Sequence, residues 1–132
     1  MTAYGMSITL DRPFAAAVEA ARAALAAEGF GILMEADLQA TFRNKLGLET
    51  PSYVILGACS APQAREALDV DPDLGLLLPC NVIVRAEAAG RTHIAAIDPV
   101  VALGVAAQPA LEPIARQIRE RLARALNALK ES

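Results

Sequence analysis

Residues 80–97 read CNVIVRAEAAGRTHIAAI. Two runs rich in Val, Ile and Thr, CNVIVRAE and RTHIAAI, flank the small-residue turn AAG, which is the pattern of a β-hairpin. A hairpin commits its own two strands to antiparallel pairing, which anchors the reading of the rest of the chain. With the turn closed by Glu87 to Gly90, Cys80 is expected opposite Ile97 and Val84 opposite His93, all four on one face.

Upstream of the hairpin, short apolar runs alternate with helix starts. TAYGMSITL, FGILMEA and SYVILGAC read as three further strands. After the first, Asp11 is placed to cap a helix, with Pro13 in its first turn. Phe14, Val18, Ala21 and Leu25 recur at helical spacing, and Gly29 supplies a left-handed exit. Asp37 is placed to cap LQATFRNKL, closed by Gly47. Ser60, with Pro62 in the first turn and Gln63 three residues on, has capping-box spacing and predicts a helix over APQAREALD. Asp71-Pro72 starts a short turn ending near Gly75, and Asp98-Pro99 starts another ending at Gly104. Leu111, Ile114, Ile118, Leu122, Leu126 and Leu129 form the apolar stripe of a terminal helix of about twenty residues. Glu112/Arg116 and Glu120/Arg124 are i,i+4 pairs on it. The order β-α-β-(short α)-β-α-β-β-α describes one α+β domain over residues 1–132.

Composition supports a single core. The chain has 132 residues, and its apolar fraction of 55% includes 29 alanines. There is no Trp and only two Tyr and three Phe, so Leu, Ile and Val must fill the interior. Twelve basic against fifteen acidic residues give a net charge of −3, which leaves no electrostatic footprint for nucleic acid. The first ten residues lack the basic region of an export signal, and no stretch is long and apolar enough for a bilayer. Two cysteines in such a chain predict a reducing, cytoplasmic setting and no structural disulfide.

Four segments in order, RNKLG, YVILGACSAPQAREAL, GLLLPCNVIV and IDPV, resemble the prokaryotic family called domain of unknown function 302. The resemblance covers roughly residues 30–104, and the paired segments GAC-x-x-P and LLPCN are its most specific part. It implies a small α+β domain with a mainly antiparallel sheet of TATA-binding-protein-like topology, often dimeric, with no established activity. Fold alone carries no DNA-binding inference.

If strands three and four pair antiparallel, as the resemblance suggests, Cys59 and Cys80 lie at one edge of the sheet. Cys59 directly precedes the expected N-cap Ser60, where unpaired helical N–H groups lower a thiol's pKa. The leading expectation is a homodimeric small-ligand-binding module, its ligand and cofactor unknown. Its site is formed by Gly57, Cys59, Pro62, Pro79, Cys80 and Asn81: Gly57 leaves room in its strand, and the prolines stiffen the approaches. The alternative is a thiol enzyme or redox sensor, with Cys59 as attacking thiolate and Cys80 resolving it. A third reading is a structural or interaction domain that uses GLLLP as an interface. Against all of these stands the ordinary fate of free cysteine, which is burial as a small hydrophobe.

His93 is the only imidazole, a candidate general base or a hydrogen-bonded structural residue. Cys59, Cys80 and His93 are the only soft or imidazole ligands. In the expected hairpin register Cys80 and His93 are four rungs apart, about 13 Å, so no metal site is predicted. Glu35 and Asp37 share one side of their strand and are an acid–base candidate, though Asp37 also has its capping role. Asp71 and Asp98 read as caps. Arg43 and Lys45 suit a helix C-terminus or an anionic ligand. Arg116, Arg119, Arg121 and Arg124, interleaved with Glu112 and Glu120, read as a solvated face. No P-loop, G-x-G-x-x-G, G-x-S-x-G or H-E-x-x-H motif is present.

Overall fold

Five strands and five helices alternate much as the sequence pattern predicts. The computed structural model describes residues 2–132. The strands are β1 (Gly5–Leu10), β2 (Gly31–Asp37), β3 (Tyr53–Cys59), β4 (Cys80–Ala88) and β5 (Arg91–Ile97). The helices are α1 (Phe14–Ala27), α2 (Leu38–Leu46), α3 (Ala61–Val70), α4 (Pro99–Gly104) and α5 (Glu112–Glu131). Short 3₁₀ turns cover Pro72–Leu77 and Pro109–Leu111. The strands form one sheet in the order β1-β5-β4-β3-β2, and every neighbouring pair is antiparallel. This is an α+β fold.

Helices α1 and α5 pack together and against the sheet, and the core lies between these two layers. Alternate strand residues supply its floor: Val54, Leu56 and Ala58 from β3, Val82 and Val84 from β4, Ile94 and Ala96 from β5. The α5 stripe supplies its roof, with Ile114, Ile118, Leu122, Leu126 and Leu129 all buried. Burying such side chains at about 25 cal/mol per Å² is what holds the layers together.

Three local expectations change. Asp11 does not cap α1; the cap position is Pro13, and Asp11 instead lies 3.6 Å from Arg91 across the sheet end. Glu120 and Arg124 do not pair; Arg124 reaches Glu28 at the end of α1, 2.8 Å away. That carboxylate is half-buried and supplied by the neighbouring helix, so the tertiary partner displaces the local one. Glu112 and Arg116 do pair, at 2.7 Å.

The third change concerns the hairpin. Arg85 pairs with His93 and Val84 with Ile94, one residue away from the expected register. The cause is an irregularity between Ala86 and Ala88, which adds Glu87 to β4 without a partner on β5. Because side chains alternate, a slip of one residue exchanges the faces. Ile94 therefore joins Val84 in the core, and His93 and Ile97 move to the opposite face. Cys80 stays with Val82 and Val84 on the helix side, so Cys80 and His93 share neither a rung nor a face.

Candidate functional site

The cysteines meet at one end of the sheet, as antiparallel pairing of β3 and β4 requires. Cys80 pairs with Ala58, the residue before Cys59. Alternation directs Cys80 toward the helices and Cys59 toward the other face, and both are free thiols. The lowered Cys59 pKa anticipated from its place before α3 is not found. Burial pushes the Cys59 thiol up, and it pushes Cys80 up to about 11, with repulsion from Cys59 adding to the effect. A thiol held protonated is a poor nucleophile.

Space at this edge is already filled. The cavity bordered by Cys59, Cys80, Leu78 and Ile118 measures only ≈ 10 Å³, no more than one water needs. Gly57 does leave room in β3, but protein occupies it. A Cβ at Gly57 would stand 2.8 Å from Cγ of Met34 and 2.8 Å from Cγ of Pro79. The glycine is there to let those two side chains close over the strand. Pro62 lies in the first turn of α3, and the Leu78–Pro79 peptide is cis.

Behind Cys59 lies a polar cluster that differs from the expected capping box. Ser60 is the N-cap residue of α3, but its hydroxyl caps no helical N–H. It donates instead to the side-chain carbonyl of Gln63, and both oxygens accept from Nη1 of Arg121 on α5, at 3.1 and 3.2 Å. Ser60 and Gln63 are buried, and the guanidinium adds a charged donor to oxygens that solvent barely reaches. Arg121 is therefore a tie between α5 and the start of α3 and not part of a solvated face.

The remaining charged candidates serve structure. Glu35 accepts from Arg22 at 2.6 Å, and Asp37 accepts from the Ala40 N–H at 3.0 Å to cap α2. Asp71 caps its 3₁₀ turn, and Asp98 caps α4 while pairing with Arg119 at 3.0 Å. Arg43 pairs with Glu49 at 3.2 Å. Among the described residues no three His, Cys, Asp or Glu side chains converge as a metal would need.

Among the described residues two larger spaces stand out. One, of ≈ 450 Å³, runs between α4 and α5 along Leu103, Ala107 and Leu111. Its polar members, Gln108 and Glu112, are engaged with Asp71 and Arg116, which leaves little for specific recognition. The other, of ≈ 510 Å³, opens over the sheet face opposite the helices. Strand register orders its floor in rows. Tyr53, Arg85, His93 and Thr9 form one cross-strand row, and Ile55, Ile83, Ala95 and Ser7 form the next. Asn81 and Ile97 lie one row further on. An apolar strip is thus flanked by Arg85 and His93 at one end and by Asn81 at the other. Burial lowers the His93 pKa, the Arg85 charge lowers it further, and Glu87, 3.7 Å from Nδ1, opposes both.

Of the residues singled out from sequence, the structure brings Asn81 and His93 to this face and leaves Cys80 and Pro62 away from it. Arg85, Tyr53 and Ser7 went unnoticed. Their signal was the alternation of β3, β4 and β1, but it could be read only with the correct hairpin register.

The architecture is that of a two-layer domain, helices packed on one side of an antiparallel sheet whose other side is open. The sequence profile of the family described as Domain of unknown function DUF302 matches residues 6–129, and the chain belongs to that family. It is similar to the crystal structure of an uncharacterised conserved DUF302 protein from Bacillus stearothermophilus. The two share 29% identity over 96% of this chain and 98% of that one, with a TM-score of 0.87. No curated protein matches the sequence. Among the described residues no helix is long and apolar enough to cross a membrane.

Proposed function

We propose that the protein is a small-molecule-binding module whose site is the open sheet face rather than the cysteine edge. The ≈ 510 Å³ concavity, with an apolar floor and a few converging polar groups, carries this reading. A volume of that size suits a compact organic ligand, and the filled space beside the cysteines does not. Asn81 keeps a binding role in this reading, His93 takes one in place of general-base chemistry, and Cys59 and Cys80 become packing residues. The test is a thermal-shift screen of a chemically varied fragment library, repeated on Ala95→Trp, which fills the floor. Hits that raise Tm in the native chain and lose their effect in the variant support the site. Hits that act equally on both, or that map to Cys59 and Cys80 by amide chemical shifts, overturn it.

A homodimer is a second reading, favoured by the β2 end of the sheet. Helix α2 buries no residue, and Leu33, Met34, Leu46 and Leu48 are 53–63% exposed on and beside it. Several large apolar side chains left exposed at one end of the sheet suit a second copy of the chain. Light scattering coupled to gel filtration, on the native chain and on Leu46→Glu/Leu48→Glu, decides between a dimer broken by the charges and a monomer throughout.

A further inference from the structure

We infer that the open sheet face takes a small organic anion, with a carboxylate seated on Arg85 and an apolar body lying along the strip toward Asn81. The inference rests on the open-face reading and adds the chemistry of the ligand.

Four observations carry it. Arg85 is the one permanently charged side chain among the described residues that line the cavity, and no carboxylate lines it. Arg85 is half-buried, yet no carboxylate lies within 4.0 Å of its guanidinium, whereas Arg22, Arg119 and Arg124 each hold one. The nearest acid on its own strand, Glu87, stands on the bulge and faces His93 instead. Finally, the row containing Arg85 also holds Tyr53 and His93 on its two sides, so donors border the position an anion would occupy.

An unpaired arginine over an apolar floor is costly unless something planar and negative completes it. A carboxylate does so with two parallel hydrogen bonds. The geometry also sets a length. Successive rows on one face are about 7 Å apart, so Arg85 and Asn81 are separated by about 13 Å along β4. Ile83 and Ala95 lie between them and Ile97 stands beside Asn81, which calls for a body of aromatic or branched aliphatic character and a polar group near the far end. A doubly charged or fully polar ligand would leave that strip unused.

The experiment compares 4-phenylbutanoate with its neutral isostere 4-phenylbutanamide by ¹H–¹⁵N amide titration. The proteins are the native chain, Arg85→Gln, Arg85→Lys and Glu87→Gln. The expected result is saturable shifts centred on residues 83, 85, 93 and 95, with the acid binding about tenfold more tightly than the amide, the increment of one charge-assisted pair. Arg85→Gln abolishes that preference, Arg85→Lys keeps only part of it because the fork is lost, and Glu87→Gln strengthens it by removing a competing anion. The native-like spectrum of each variant reports that it is folded. If acid and amide bind this face equally and Arg85→Gln changes nothing, the anion inference is overturned while the open-face site stands. If neither probe moves these amides at millimolar concentration, the anion inference is overturned. The open-face site is then judged by the fragment screen and its Ala95→Trp control. Shifts confined to the α4–α5 groove overturn both.

Discussion

Replacing Gly57 by alanine separates two accounts of the cysteine edge. The glycine belongs to a central strand, where alanine would ordinarily gain about 0.5–1 kcal/mol by restricting the unfolded chain. The added methyl, however, meets Cγ of Met34 and Cγ of Pro79, each at 2.8 Å. Carbon atoms prefer about 3.5–4.0 Å, so both neighbours must yield by the better part of an ångström. Met34 is 59% exposed and can swing outward, but the Pro79 ring has no rotamer with which to escape. Overpacking of this kind costs about 1–3 kcal/mol. The net expectation is a loss of about 1–2 kcal/mol, or a fall in Tm of about 4–8 °C for a chain of this length. Guanidinium unfolding followed by circular dichroism measures it, with Met34→Ala and the double variant completing a cycle. Part of the loss, about 0.5–1 kcal/mol, should vanish in the Met34→Ala background. A Gly57→Ala protein as stable as the native one, with no coupling to Met34, would refute the packing account. It would mean that open space remains beside Cys59.

Other expectations follow from the same geometry. Both thiols should resist alkylation in the folded protein at neutral pH, Cys80 more strongly, and mild oxidation should give no internal disulfide; fast labelling of Cys59 resolved by mass spectrometry would restore thiol chemistry. Because Cys80 is raised from the ordinary 9.0 to about 11, its share of stability is intact below pH 9 and falls away by about 3 kcal/mol as pH rises through 11. Cys80→Ala, unfolded in parallel, should lack that part of the alkaline decline. His93 moves the other way: burial and Arg85 lower its pKa beneath 6.5, so the unfolded chain binds the extra proton and stability falls on acidification below that value. His93→Gln should flatten that acid limb, and an unchanged limb would place the titration elsewhere. Leu122, fully buried beneath α1, should cost about 2–5 kcal/mol as alanine; a smaller loss in denaturant unfolding would mean that the two layers do not close on it.

Much of the fold was legible in the residues because the deciding signals are local. Helix α5 runs over 20 residues because its leucines and isoleucines recur at the helical period. Asp37, Asp71 and Asp98 cap the segments that follow them, because a carboxylate one residue before a turn meets that turn's free N–H groups wherever it occurs. The hairpin followed from apolar runs broken at small residues, and the antiparallel pairing of β3 with β4 from the family resemblance.

The site was less legible, and the reason is a single residue. Counting back from the turn put His93 beside Val84, but the bulge at Glu87 leaves that residue without a partner and carries His93 across to Arg85. Nothing in the run VRAEAAGRTH distinguishes a bulged hairpin from a regular one. The choice is made by burial, which must bring Ile94 into the core with Val84. In the same way Arg124 could be matched to Glu120 by spacing, but only the approach of α1 offers it Glu28. Local sequence determined which segments are helix or strand, where they begin and that β4 and β5 form an antiparallel hairpin, because capping, periodicity and turns act over a few residues. Only the tertiary structure decided which face each side chain joins, why Gly57 is needed and that Arg85 faces the open cavity without a carboxylate beside it. Those depend on what packs against the strand from elsewhere in the chain.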